Sequence, residues 1–228
     1  MFEDRLDAGK KLAAKLLEHE KEEAVVIALP RGGVSVAVPI AQTLDATLEV
    51  LIVRKLGSPY DPELGIGAIA EEGVTFLDTD LVNLLQVSTS IVKLLREKEI
   101  IELERRKQLY RKGRQLPLLT NKTVILVDDG LATGVTAHAA LLSLKKLHPK
   151  KIIFAVPVCS EDTAQSIRMF VDRILCLDDV EKLDAIGKYY NDFSQVSDEE
   201  VVEYLHKANK NYSLENFDEN VFAHRIVW

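Results

Sequence analysis

Two adjacent acids, Asp128 and Asp129, stand between an aliphatic run at residues 124–127 and a loop of small residues: Gly130, Leu131, Ala132, Thr133, Gly134, Val135 and Thr136. The run reads as a buried parallel strand. Beyond the loop the apolar spacing lengthens to helical period, at Ala137, Leu141 and Leu144 with Ala140 and Leu147 beside them. A helix start presents unpaired backbone N–H groups and the positive end of a dipole, so it holds an anion. Gly134 lets the backbone approach that anion, and the Thr133 and Thr136 hydroxyls add donors. A phosphate suits such a loop. The two carboxylates would repel it unless they faced something else, and vicinal hydroxyls or a magnesium-bound water are their natural partners. A ligand with a phosphate at one end and a diol nearby satisfies both halves. Ribose 5-phosphate is such a ligand.

A second strand–loop–helix unit lies near the start. Residues 24–29 form a short apolar strand, followed by Pro30, Arg31, Gly32, Gly33 and a helix-like stretch to about Leu44. Gly32 and Gly33 expose backbone amides and Arg31 adds a fixed positive charge, so this loop suits a second anionic group. The run from Gly33 to Ala37 nearly spells a nucleophile elbow around Ser35. The closing glycine is replaced by Ala37 and no Asp/His order follows, so Ser35 reads as a helix residue.

The run Val-Ile-Leu-Val-Asp-Asp-Gly-Leu-Ala-Thr-Gly-Val-Thr at 124–136 resembles the phosphoribosyl-pyrophosphate signature of type I phosphoribosyltransferases. One departure is Gly130, where many members carry an aliphatic residue; it is expected to make the loop more flexible. The Pro-Arg-Gly-Gly, Arg-Lys-Leu-Gly and Asp-Asp-Gly-x-Ala-Thr-Gly elements, with the stretch around Tyr189 and Tyr190, resemble a group of bacterial and archaeal "predicted phosphoribosyltransferases" across most of residues 1–208. The resemblance implies an α/β fold. Its parallel sheet has about five strands, ordered 3-2-1-4-5, with helices on both faces. It implies that loop 130–136 takes the 5-phosphate, while Arg31, Gly32, Gly33 and Lys55 take pyrophosphate. Asp128 and Asp129 would be catalytic, and would hold Mg2+ through water. Lys55 and the 56–64 loop are the candidates for a lid. The loops at 157–162 and 178–184 would flank the acceptor.

Composition bounds these readings. A hydrophobic content of 47% with 29% charged residues is ordinary for a globular protein. A net charge of −7 argues against broad nucleic-acid or membrane binding, though not against a local nest of amides for phosphate. Cys159 and Cys176 sit in apolar runs without zinc spacing and read as free thiols. The polar N-terminus is unlike a signal peptide and no apolar run is long enough to span a bilayer, so a cytoplasmic location is expected.

The rest of the chain frames the site. Residues 4–20 read as an amphipathic helix with His19 solvated at its end. Residues 47–53 read as one strand ending at Arg54 and Lys55, whose side chains a solvated strand end also explains. Strands at 66–70 and 74–77 flank a turn at Glu71, Glu72 and Gly73. Asp78 reads as a turn or helix cap. From Ser88 to about Lys112 a long charged helix is expected, its Arg105, Arg106, Lys107, Arg111, Lys112 and Arg114 cluster solvated and ion-paired. Strands at 151–158 and 173–177 follow, with Ser160 starting a helix. Ser197 and Glu200 form a capping box for a helix to about Ala208. Tyr189, Tyr190 and Phe193 could stack a base, but core packing or a dimer contact is the commoner use. The organisation expected is one domain over 1–208, with a helical insertion at 78–115, a flanking segment at 178–208 and a tail at 209–228.

The expected function is magnesium-dependent transfer of a 5-phosphoribosyl group from phosphoribosyl pyrophosphate to a nitrogen acceptor such as a nucleobase, with a homodimer as one assembly. The competing reading is a non-catalytic regulator of the same fold that senses phosphoribosyl pyrophosphate or a nucleotide. The acidic charge and the lack of a helix-turn-helix segment weigh against it. No Gly-x-x-x-x-Gly-Lys-Ser/Thr is present, which removes a nucleoside-triphosphate loop.

Overall fold

The computed structural model describes residues 1–19 and 24–209. Along the chain the elements run α1 (Arg5–His19), β1 (Ala24–Ala28), α2 (Gly32–Thr43), β2 (Thr47–Val50), β3 (Val53–Gly57), β4 (Gly65–Ala70), β5 (Val74–Leu77), α3 (Thr79–Leu84) and α4 (Thr89–Arg111). They continue with β6 (Thr123–Val127), α5 (Val135–Lys146), β7 (Lys151–Ser160), α6 (Glu161–Ile167), β8 (Arg173–Val180) and α7 (Asp198–Ala208). The expectations for the His19 side chain and for residues 210–228 lie outside the described residues.

The central sheet is parallel throughout, in the order β2-β1-β6-β7-β8. Its strands are apolar on both faces because helices cover both, as a parallel sheet requires. Side chains alternate with period two. Val26, Ala28, Ile125, Val127, Ile153 and Ala155 pack with α1, α2 and α7, while Val25, Ile27, Val124, Leu126, Ile152 and Phe154 pack with α5.

The strand order corrects the expectation. Counted within the sheet it is 2-1-3-4-5, not 3-2-1-4-5. The run read as one strand over 47–53 is split, and the backbone of Ile52 explains the break. Its N–H donates to Glu71 Oε1 at 2.8 Å and its carbonyl accepts from the Glu71 N–H at 3.3 Å, so neither continues the ladder with β1. The chain instead crosses into a second, antiparallel sheet, β3-β4-β5. The central sheet gains β8 at the opposite edge. The reversal between β1 and β6, which sets the site, is unaffected.

The second sheet is held between α4 and α5. Glu71, at the β4–β5 turn, is the point where they meet. Its carboxylate Oε2 accepts from Arg111 Nη2, and its carbonyl accepts from Ser143 Oγ of α5 at 3.0 Å. Arg111 is fully buried, which corrects its reading as part of a solvated cluster. Arg105 and Arg106 do pair along the helix, both with Glu102. Arg54 also departs from a solvated strand end, since it pairs with Glu99 of α4 at 2.8 Å.

The caps follow the residue types. Asp78 Oδ1 accepts from Leu81 N–H, Ser88 caps α4, and Ser197 with Glu200 forms the capping box of α7. Ser160 stands at the start of α6 but its side chain makes no capping bond. Asn209, expected in the tail, exchanges two hydrogen bonds with the backbone of Leu48 in β2 and so belongs with the core.

Removing one member of a buried ion pair leaves the other charge uncompensated. Glu71→Ala is therefore expected to cost about 3–5 kcal/mol, read as a lower midpoint in urea unfolding. A change below about 1 kcal/mol would show that the pair does not hold the second sheet.

Candidate active site

The carboxyl ends of β1 and β6 lie side by side, with Ala28 in register with Val127. From β1 the chain turns toward β2, and from β6 it turns the other way, toward β7. The two loops that follow therefore border the crevice at a topological switch point, where open α/β sheets bind ligands. Each leads into a helix N-terminus, α2 at Gly32 and α5 at Val135. The Pro30–Arg31 peptide joining the first loop to its helix is cis.

The loops touch. A Cβ on Gly32 would lie 1.9 Å from Asp129 Oδ2, and one on Gly33 would lie 2.8 Å from the Val127 carbonyl and 3.2 Å from Asp128 Oδ1. Only glycine lets α2 begin this close to the acidic pair.

The two acids differ in surroundings. Asp128 keeps part of its surface open, and its Oδ1 accepts from the Asp129 N–H at 2.9 Å. Dense packing around its carboxyl, and then the charge of Asp129, push it well above the usual carboxylate range. Asp129 has a cation. Its Oδ2 accepts from Arg5 Nε at 2.8 Å, and its carbonyl accepts from the Tyr190 hydroxyl at 2.7 Å. Arg5 is itself fixed: Nη1 donates to the Ser194 carbonyl at 2.9 Å, and its guanidinium lies 3.7 Å above the centre of the Phe193 ring.

In the loop after the acids, Leu131 is buried and bridges to Cys159 of β7, while Thr133 is exposed and Thr136 half-buried. Thr163 Oγ1 donates to the Ala132 carbonyl at 2.5 Å. Gly134 has φ +74° and stands in a left-handed turn at the N-terminus of α5, whose first amides have no partner within the helix. Gly130 has a different reason from the flexibility expected of it. A Cβ there would lie 2.7–2.9 Å from Ile186, whose side chain fills the space an aliphatic residue would need.

The remaining expected residues lie around this crevice. Lys55 projects from β3 beside the loop: a Cβ on Gly65 would be 3.1 Å from its stem and 3.9 Å from Val135. Its ammonium is held by Glu63, carbonyl and carboxylate, which closes the exposed 59–64 segment. The Arg31 guanidinium turns toward Asp198 at the start of α7, at 3.7 Å. Burial alone would raise the Asp198 carboxyl, but the Tyr110 hydroxyl and Arg105 hold it below the ordinary value. Tyr190 is buried against Phe2 and Phe193 lies under Arg5, so core packing takes both aromatics rather than base stacking. Ser35 is buried inside α2, as expected of a helix residue.

Two residues, Arg5 and His138, escaped the sequence reading, as did the role of Tyr190, which was weighed there only for base stacking, core packing or a dimer contact. Arg5 sits in an ordinary amphipathic helix, Tyr190 in an irregular segment, and His138 one turn into α5. His138 stacks on Phe76 at 4.7 Å, with Nδ1 3.0 Å from the Gly134 carbonyl. For His138 the signal was its position four residues after Gly134; for Arg5 and Tyr190, 124 and 61 residues from Asp129, there was none.

Asp128→Asn keeps an oxygen for the Asp129 N–H and removes a disfavoured charge. It is expected to raise Tm by about 2–4 °C, the equivalent of ~1 kcal/mol, and a lower Tm would contradict that reading of the carboxyl. Gly32→Ala forces Asp129 off Arg5 and is expected to lower Tm.

The phosphoribosyl transferase domain model matches residues 2–188. Two Mycobacterium tuberculosis proteins, each named "Putative phosphoribosyl transferase", are 40% identical over 213 residues, 93% of this chain. The chain spans 48% of their length. The crystal structure of the TT1426 protein of Thermus thermophilus is 35% identical, covers 90% of this chain and 97% of its own, and superposes with a TM-score of 0.74. The AQ2163 protein of Aquifex aeolicus, 15% identical with a TM-score of 0.51 over 89% of this chain and 85% of its own, shares the fold. Family match, sheet and the meeting of the two loops agree: the chain belongs to the phosphoribosyl transferase domain family, in its type I fold.

Proposed function

We propose that this protein transfers a 5-phosphoribosyl group from phosphoribosyl pyrophosphate to a nitrogen acceptor, a nucleobase, and releases pyrophosphate. The observation that carries the reading is the contact between the Gly32–Gly33 start of α2 and the Asp128–Asp129 pair. It sets two anion-receptive helix starts on either side of a carboxylate pair, which is the pattern of a sugar carrying phosphate at one end and pyrophosphate at the other.

In this reading the Thr133–Thr136 turn and the first amides of α5 bind the 5-phosphate. Asp128 and Asp129 accept hydrogen bonds from the ribose hydroxyls. The N–C1′ bond forms as the C1′–O bond to pyrophosphate breaks, and pyrophosphate leaves with the electron pair. Positive charge then grows on the ring, as in glycoside cleavage, and the two carboxylates lie where it is stabilised. The proton of the acceptor nitrogen passes to solvent. Gly32 and Gly33 amides, with Arg31 and Lys55, receive the leaving group. Segment 56–64, tethered by Lys55 to Glu63, is the proposed lid that excludes water. The end of β7 with the start of α6 at 157–162, tied to Leu131 through Cys159, and the 178–184 segment that begins in β8 border the acceptor; both were expected as loops, but pairing of β7 with β8 as far as Ser160 and Val180 carries the sheet into them.

Magnesium fits one kind of site here. Among the described residues no group of three or more His, Cys, Asp or Glu could hold a metal ion. Mg2+ commonly keeps its waters and takes one or two carboxylates plus substrate phosphates, and Asp129 has one oxygen not held by Arg5. Asp128 and Asp129 would hold it through water, and it would supply charge neutralisation of the leaving pyrophosphate. The proposed setting is the cytoplasm. Both cysteines are free, and no described helix is long and apolar enough to cross a membrane.

The test is pyrophosphate release from phosphoribosyl pyrophosphate and Mg2+ across a panel of purine and pyrimidine bases, with the Asp128→Asn/Asp129→Asn double variant as control. Base-dependent release, reduced by about two orders of magnitude or more in the control, is expected. Donor binding without release by any base would instead favour a sensor. No donor binding at all would overturn the reading.

A further inference from the structure

Arg31 is the cation of the Pro-Arg-Gly-Gly loop, yet its guanidinium turns toward α7. The partner there is Asp198, and the contacts of that carboxylate are unequal. Tyr110 Oη donates to its Oδ1 at 2.6 Å and Arg105 Nη2 donates to its Oδ2 at 3.0 Å, both from α4. Arg31 Nη1 stands off at 3.7 Å. As the first residue of α7, Asp198 also lies at the positive end of the helix, where a negative charge is favoured without any partner. Asp198 is therefore satisfied before Arg31 is counted.

Among the described residues Arg31 has no comparable set of partners. Its side chain is 27% exposed and that of Asp198 19%, so the pair is partly screened. Exposed or half-exposed pairs of this kind are weak. A diphosphate beside Gly32 and Gly33 offers several charges and bidentate geometry to a guanidinium, which one distant carboxylate oxygen does not.

We infer that Asp198 is a positioning residue that parks Arg31 against α7, and that a bound pyrophosphate group competes with it for the guanidinium. This rests on the proposed pyrophosphate role of the 30–33 loop. On release of Arg31 the carboxylate keeps Tyr110 and Arg105, so α7 stays docked on α4 and the exchange costs little of the surrounding structure. α7 thereby sets how tightly the loop takes its anion.

The probe is inorganic pyrophosphate with Mg2+, titrated calorimetrically into the full chain. Asp198→Asn is expected to bind it about fivefold more tightly and to lower KM for phosphoribosyl pyrophosphate with kcat unchanged. Tyr110→Phe removes a bond from the same carboxylate without freeing Arg31; it is expected to lower Tm and leave the affinity no tighter. In an Arg31→Gln background Asp198→Asn is expected to change nothing. Tightening that persists in that background, or none in the Asp198→Asn single variant, overturns the inference while the functional reading stands. In the wild-type protein, the guanidinium NMR signal of Arg31 is expected to shift on pyrophosphate addition and that of Arg105 to stay. An unmoved Arg31 signal overturns the inference even where the variants do not fold. If wild type binds neither pyrophosphate nor phosphoribosyl pyrophosphate, the functional reading and this inference fall together.

Discussion

Ala28 pairs with Val127 at the carboxyl edge of the central sheet, so the two site loops leave from points about one strand spacing, ~4.8 Å, apart. That adjacency constrains both loops. Helix α2 must start against the end of β6, and only glycine at positions 32 and 33 leaves room for the Asp128–Asp129 pair. The connections on either side depart in opposite directions, which opens the crevice between them.

Two carboxylates at one strand end are costly to keep, and the surrounding structure handles them unequally. Asp128 is pushed toward its neutral form by the protein around it. Asp129 receives Arg5, and Arg5 is locked by the Ser194 carbonyl and the face of Phe193. Segments from opposite ends of the described chain thus meet behind the site. Phe2 exchanges backbone hydrogen bonds with Tyr189 and Asn191, which fixes Tyr190 where its hydroxyl reaches the Asp129 carbonyl. The helix α1 and the segment before α7 together hold the acidic pair.

A comparable device holds the second sheet. Glu71 ends the strand pairing of β2 by taking the backbone of Ile52, and it anchors α4 through Arg111 and α5 through Ser143. The long charged helix is therefore not an appendage. It braces β3, which carries Lys55, and its Arg105 and Tyr110 hold the Asp198 carboxylate that faces Arg31.

The sequence by itself determined the local features. The strand–acid pair–loop–helix unit at 123–146, the glycines that begin α2, the caps at Asp78 and Ser88 and the box at Ser197 and Glu200 are all set by residue types a few positions apart. Their physics is short-ranged: helix starts need acceptors, tight approaches need glycine, and buried strands need continuous apolar runs. Only the tertiary structure decided what depends on contacts far along the chain. The split of residues 47–53 needed Glu71, nineteen positions from Ile52. The burial of Arg111, the filling of the space beside Gly130 by Ile186, and the turn of Arg31 toward Asp198 each needed a partner from a distant segment. Arg5 is the clearest case. On a helix of alternating charge and leucine nothing distinguishes it from its neighbours, and it becomes the partner of Asp129 only because α1 packs on α2 beside the end of β6.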